Sequence, residues 1–450
     1  MSTTLFRNAD CIATFDDVGT VHHGGDLLVR DGCIEAVGAP EPIERVDELV
    51  DASGMILIPG LVNTHHHFFQ TLTRNLPAGQ DAELFNWLVA HYPIWARLDP
   101  EAVFVSTQVA AAELLLSGCT TAADHTYVWP NGARLDDQIA AVREIGIRFH
   151  GSRGSMSVGQ SAGGLPPESM VEDEGAILED CQRVIERFHD AGSHAMVRVV
   201  LAPCSPFSVS RELMRETARL ARHYRVHMHT HLAETRDEHD YCRDLFGCTP
   251  VEYAEELGWT GRDVWFAHMV HPSAAEVTRL GGAGCGVAHC PSSNMRLGSG
   301  VAPIRHLHAA GMRVGVGVDG SASNDCSNLL NETRQMMLLQ RVHGGAAAMS
   351  ATSALWFATR GGASVLGRDD IGVLAPGKAA DVVGIRTDSL AMAGGAVHDP
   401  LAALIFCMPP RVDLTMVGGR MRVRDGRLVD VDVEGLVTRH NRIAARLTMQ

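Results

Sequence analysis

Eight short strand-like runs, separated by stretches of helical character, constrain this chain more than any other feature. They are "GMILIPGLVNTH", "CTTAADH", "GIRFHGSR", "AMVRVVLAP", "VHMHTHLAE", "DVWFAHMV", "CGVAHCP" and "RVGVGVDG". Between and around them lie "FVSTQVAAAELLLSG", "ARLDDQIAAVREIG", "GAILEDCQRVIERFHDAG", "SRELMRETARLARHY" and "NETRQMMLLQRV", whose apolar residues recur at helical spacing. Strand and helix alternate in this way over about 270 residues, the length of a (β/α)8 barrel. A doubly wound open sheet shares the alternation. The polar residues favour the barrel, because they gather at the C-terminal ends of many different strands, where barrel sites form.

The flanks have another style. Residues 1–60 and 373–430 read as short strands broken by Gly and Asp, such as "DLLVRDGCIEAVG" and "LTMVGGRMRV". Neither flank holds a sizeable core alone, so both chain ends are expected to pair into one small β-sandwich domain (1–60 plus 373–430). The predicted catalytic barrel covers 61–372 and a helical tail covers 431–450. The stretch "GSMSVGQSAGGLPPESMVEDEG" is long for a βα connection, and reads either as a lid over the site or as an insertion.

The formal charge of −15 disfavours binding to a phosphate backbone, which needs clustered cations, and no basic block is present. No nucleic acid polymer is expected as a partner. The N-terminal stretch does not read as a signal peptide, and no apolar run reaches transmembrane length. Eleven scattered cysteines without a CxxC pair suit reduced thiols, so a cytoplasmic protein with no membrane partner is expected. Lys378 is the only lysine. It lies in a Gly/Pro turn, "LAPGKAADVV", which argues against Schiff-base and P-loop chemistry.

"NTHHHFFQ" places three imidazoles in a row. Strand alternation turns His65 and His67 the same way and His66 elsewhere. In "HMHTHLAE", His231 stands at the presumed rim with Glu234 three residues on. His229 lies roughly 6–7 Å deeper and is expected to be packed or hydrogen-bonded. His268 ends "VWFAH" and Asp319 ends "VGVGVD". Imidazoles from two strands and one carboxylate make a mixed N/O set that suits one zinc ion, with iron(II) as the alternative. The fourth strand ends without a lysine to bridge two ions, so a mononuclear site is expected. His65, His67, His231 and Asp319 are its expected ligands. Glu234 can relay protons, His268 can polarise the atom under attack, and Asp319 can also take a proton from water. Such a set adds water across an electrophilic carbon and expels an amine.

The segments "IPGLVNTHHHFFQ", "HTHLAE", "FAHMV", "GVAHCPSSNMRLGSG" and "VGVGVDGSASND" together resemble the amidohydrolase superfamily, in particular its cytosine/guanine deaminase-like branch. The likeness runs along essentially the whole chain. It implies the same ligand set, with Glu234 protonating a ring nitrogen and helping ammonia leave, and His268 steadying the water or the intermediate. It also implies that Gln70 binds substrate. Further stretches, among them "NTHHHFFQTLTRNLPAGQDAELFNWL", are similar to branch members that act on 8-oxoguanine. The implied reaction is 8-oxoguanine plus water to urate plus ammonia. Guanine, isoxanthopterin and hydroxylated s-triazines are alternative substrates for the same machinery, and a non-catalytic metal-binding barrel is the remote alternative.

A flat heterocycle needs short polar groups beside an apolar wall. His125, Tyr127, Arg153, Cys204 and Asn294 are candidate substrate contacts, with Trp95 and His289 less direct. Each also has an ordinary role open to it: strand-end capping for His125, solvation for Arg153, packing for Cys204. The expected partner is a small heterocyclic molecule. A homo-oligomer is expected only because soluble enzymes commonly form one.

Overall fold

The computed structural model describes residues 2–39 and 46–449. Five strands precede the barrel: β1 (Thr3–Ala13), β2 (Val21–Arg30), β3 (Cys33–Gly38), β4 (Glu48–Asp51) and β5 (Met55–Pro59). The barrel strands are β6 (Leu61–Asn63), β7 (Cys119–Asp124), β8 (Arg148–Ser155), β9 (Val197–Pro203), β10 (His227–Leu232), β11 (Val264–His268), β12 (Gly286–His289) and β13 (Arg313–Val316). They close in sequence order, β13 pairing back onto β6, and every pair is parallel. All eight runs named from the sequence contribute one of these strands.

The run "GMILIPGLVNTH" divides in two. Its first half, β5, belongs to the outer sheet, and its second half, β6, opens the barrel. Gly60 makes the crossing: a Cβ there would lie 2.0 Å from the Thr120 hydroxyl, so only glycine fits between the two sheets.

The outer strands resume as β14 (Val382–Arg386), β15 (Leu414–Val417), β16 (Arg420–Arg424) and β17 (Arg427–Leu428). The two chain ends join through antiparallel β5–β14 pairing into one nine-stranded mixed sheet. The small β domain expected from both chain ends is this sheet. Here hydrogen bonding is continuous, and the two halves share a core of Phe6, Ile12, Leu27, Ile34 and Leu57 with Leu374, Val382 and Met416.

Two buried ion pairs support the N-terminal end of the barrel. Arg148, at the start of β8, donates to both carboxylate oxygens of Asp381 (3.1 and 2.9 Å), beside β14. Arg368 does the same to Asp370 (2.7 and 2.7 Å). At the other end, the helix Val433–Thr448 packs on the helix Pro100–Leu116 and on the turn Phe68–Thr73, where His440 Nε2 and Thr71 Oγ1 are 3.0 Å apart. Among the described residues no helix is long and apolar enough to cross a membrane.

Candidate active site

Residues 65–67 follow the end of β6, yet the alternation persists. The His65 and His67 rings meet at 4.7 Å, while His66 turns away and bonds Ser327 Oγ at 2.8 Å. His67 Nε2 lies 3.1 Å from His231 Nε2, and Asp319 Oδ1 lies 3.3 Å from the Nε2 atoms of both His65 and His67.

The opposite ring nitrogens settle the tautomers. His67 Nδ1–H donates to the His125 carbonyl (2.6 Å), and His231 Nδ1–H to the Cys204 carbonyl (2.6 Å). His229 Nδ1–H donates to the Trp265 carbonyl (2.9 Å), which leaves its Nε2 to accept from His65 Nδ1–H at 2.7 Å. Three Nε2 lone pairs and a carboxylate oxygen therefore converge with no hydrogen between them. His65 Nε2 is buried and without a hydrogen-bond partner. Such convergence is repulsive unless a cation sits at its centre. Zinc–nitrogen bonds of about 2.0–2.1 Å in a tetrahedron separate ligand atoms by about 3.3–3.4 Å, close to the spacings here. Burial also pushes the imidazoles of His65 and His231 down, His231 to about 3, which keeps both neutral, the form able to bind a metal. His65, His67, His125 and His231, and likewise His65, His268, Cys290 and Asp319, bring possible ligand atoms within reach of one ion, so the cluster around His65 is a site for a divalent metal.

Glu234 is buried beside it. Burial, and then the Asp319 charge, raise its carboxyl to about 8, the state of a proton donor near neutral pH. His268 Nε2 stands 3.5 Å from Glu234 Oε2 and 3.9 Å from Asp319 Oδ2, and its Nδ1–H donates to Asn294 Oδ1 at 2.9 Å. Ala233, His268 and Asp319 all have left-handed backbones (φ 53°, 73° and 62°), so each rim loop turns sharply at a residue with a side chain.

Buried carboxylates that point away from the cluster hold these loops. Asp124 accepts from the Phe68 N–H (2.6 Å), directly after His67. Glu238 accepts from the N–H groups of Ala233 (2.9 Å) and Glu234 (2.7 Å). Glu332 accepts from Ser292 and Asn324, joining the loops that carry Asn294 and Asp319.

A cleft opens onto the cluster. Gln70, Tyr127 and Cys204 line it together with His67, His231, Glu234, His268 and Asp319. Both polar atoms of the Gln70 amide are buried and unpartnered. The Cys204 thiol is pushed up to about 12 by burial and stays neutral.

Three candidate contacts lie elsewhere. Arg153 shares the outer face of β8 with Phe149, and is engaged by Glu172 (2.7 Å) and Asp180 (2.6 Å). The alternation that sorted the histidines puts it there. His125 stands against the cluster rather than in the cleft, stacked on His231 at 4.7 Å, with Nε2–H on the Ala202 carbonyl. Asn294 touches His268 rather than the cleft. Trp95 is likewise packed, donating to Thr73 Oγ1. Among the described residues, neither ring nitrogen of His289 has a hydrogen-bond partner.

Sequence reasoning missed the apolar wall of Leu84, Trp87, Leu88, Phe207 and Leu297, and also Ser323. The aromatic-rich "ELFNWLVAHYPIW" was the available signal for part of it. The long connection after β8 packs on this wall from behind: the Leu165 N–H donates to the Phe207 carbonyl and the Ser157 N–H to that of Ser208.

The amidohydrolase family pattern matches residues 56–422. The 8-oxoguanine deaminase of Pseudomonas aeruginosa is 49% identical over 99% of both chains. The hydroxydechloroatrazine ethylaminohydrolase of Pseudomonas sp. (strain ADP) is 40% identical, over 96% of this chain and 93% of its own. Among solved structures, atrazine chlorohydrolase TrzN from Arthrobacter aurescens TC1, complexed with zinc, superposes with a TM-score of 0.92 at 34% identity, covering 98% of this chain and 100% of that one. The chain thus belongs to the amidohydrolase family and is a metal-dependent hydrolase of C–N bonds.

Proposed function

We propose that the protein deaminates 8-oxoguanine, giving urate and ammonia. The observation that carries the chemistry is the pairing of a buried Glu234 with His268, 3.5 Å apart, beside three imidazole nitrogens and a carboxylate oxygen that converge. End-to-end likeness to the Pseudomonas aeruginosa enzyme supports the substrate.

His65, His67, His231 and Asp319 are the proposed ligands. A bound divalent ion supplies Lewis acidity that brings the pKa of water toward neutrality, and both the donor set and the zinc-bearing relative favour zinc over iron(II). Asp319 takes a proton from the water as its oxygen bonds to the amino-bearing C2 of the purine, while Glu234 gives its proton to N3. His268, oriented by Asn294, steadies the incoming oxygen. As the C–N bond breaks, the proton held by Asp319 passes to the amino group, which leaves as ammonia, and the proton of the new C2 hydroxyl passes to Glu234, which gives the C2 carbonyl and restores both carboxyl groups. Gln70 reads a carbonyl or N–H edge, and Trp87 and Phe207 supply apolar surface for a flat ring.

Steady-state kinetics on 8-oxoguanine, guanine, isoxanthopterin and a hydroxylated s-triazine tests the substrate. The highest kcat/KM is expected for 8-oxoguanine, and a higher value for any other member of the panel overturns the assignment. Elemental analysis of protein purified without added metal decides between zinc and iron.

A further inference from the structure

Three segments of this chain share one N-terminal helix pattern, a Ser or Thr followed three residues later by Glu. In two of them the glutamate does what the pattern does in general. Glu252 reaches back to the N–H of Thr249 (2.9 Å), and Glu276 to the N–H of Ser273 (2.6 Å). The third, Thr235 with Glu238, begins alike: the Glu238 N–H donates to Thr235 Oγ1 at 3.3 Å. Its carboxylate, however, passes over Thr235. One oxygen accepts from Ala233 N–H and the other from Glu234 N–H, and the side chain is 1% exposed.

These two N–H groups belong to the turn that aims Glu234. Ala233 holds φ 53°, a conformation that L residues adopt only when the surroundings impose it. The Ala233 carbonyl accepts from the N–H groups of Val270 (2.8 Å) and His271 (2.9 Å), and that of Leu232 from Met269 (3.2 Å). The turn after β10 is thereby fastened to the turn after β11, where His268 sits at φ 73°. One carboxylate thus fixes the backbone on both sides of the 3.5 Å approach between Glu234 and His268.

We infer that Glu238 is a positioning residue for the proton-transfer pair, holding Glu234 against His268 through the Ala233 and Glu234 amides. The inference rests on the proposed role of Glu234. Replacing Glu238 by Gln keeps its size but leaves one acceptor oxygen for two N–H groups, with an NH2 group facing the second.

The test compares Glu238→Gln with Glu252→Gln and Glu276→Gln, the two ordinary caps, at verified metal occupancy. Glu238→Gln is expected to lower kcat at least tenfold with KM within threefold of wild type, while the two controls keep wild-type kcat. Wild-type kcat in folded, metal-loaded Glu238→Gln overturns the inference, as does an equal loss in the controls. Amide hydrogen exchange on the wild-type protein needs no variant: protection at residues 233 and 234 is expected, and rapid exchange there overturns the clamp. Glu234→Gln separates the two ideas. If it stays active, the role of Glu234 fails; if it is inactive while Glu238→Gln is unaffected, only the positioning role fails.

Discussion

His65 and His229 form an imidazole–imidazole hydrogen bond of 2.7 Å, and the Trp265 carbonyl anchors the far side of His229. The strand thus supplies, one residue pair below its rim histidine, the group that orients a proposed ligand on another strand. Removing such a partner typically costs 10–100-fold in metal affinity. His229→Phe is therefore expected to weaken metal binding by about that factor. A chelator competition titration reads it, and activity should return when excess metal is supplied.

Asn294 holds His268 by its Nδ1–H, which leaves Nε2 facing Glu234. Asn294→Leu frees the ring and is expected to lower kcat, by up to the roughly 10²–10⁴-fold that a positioned acid–base group contributes. Asn294→Asp keeps an acceptor oxygen and should retain more activity than the leucine variant. The reverse order in a kcat comparison contradicts the orienting role.

Arg148 and Asp381 are fully buried, and their pairing connects barrel to outer sheet. Breaking a buried pair by deleting one member leaves a charge without compensation, at about 3–5 kcal/mol. Asp381→Ala is expected to lose stability on that scale in chemical denaturation. Replacing both residues with apolar ones should cost less than the single change.

Asp370 gives a pH signature. Burial alone would raise its carboxyl, but the Arg368 guanidinium overcomes that and holds it well below the usual range. A depressed folded value means stability that is complete above the unfolded carboxylate pKa of about 3.9 and is lost as pH falls toward the folded value. The stability gap between wild type and Asp370→Asn should be flat above about pH 5 and shrink below about pH 4. A gap independent of pH down to acid unfolding rules this out.

Strand number and order were legible because apolar runs and helical periods are local signals. The convergence of His65, His67, His231 and Asp319 was legible for the same reason, since each lies at or just past the C-terminal end of a barrel strand. What stayed hidden depends on partners distant in sequence. Gly60 divides an apparently single strand because Thr120 crowds it. Trp87 and Phe207 line the same cleft from segments more than a hundred residues apart. Arg153 was a different kind of miss: its position on β8 carried the answer, as a residue of the outward-facing set.

The pairing of β5 with β14, and the contact of His440 with Thr71, also set a schedule. A ribosome releases the histidine segment early, yet the strand and helix that brace it emerge more than three hundred residues later. Loop-closure entropy makes such distant partnerships slow to form. During synthesis the growing chain must hold an unfinished sheet edge and an unbraced metal-binding turn. The sheet can close, and the turn gain its brace, only once those later segments are present.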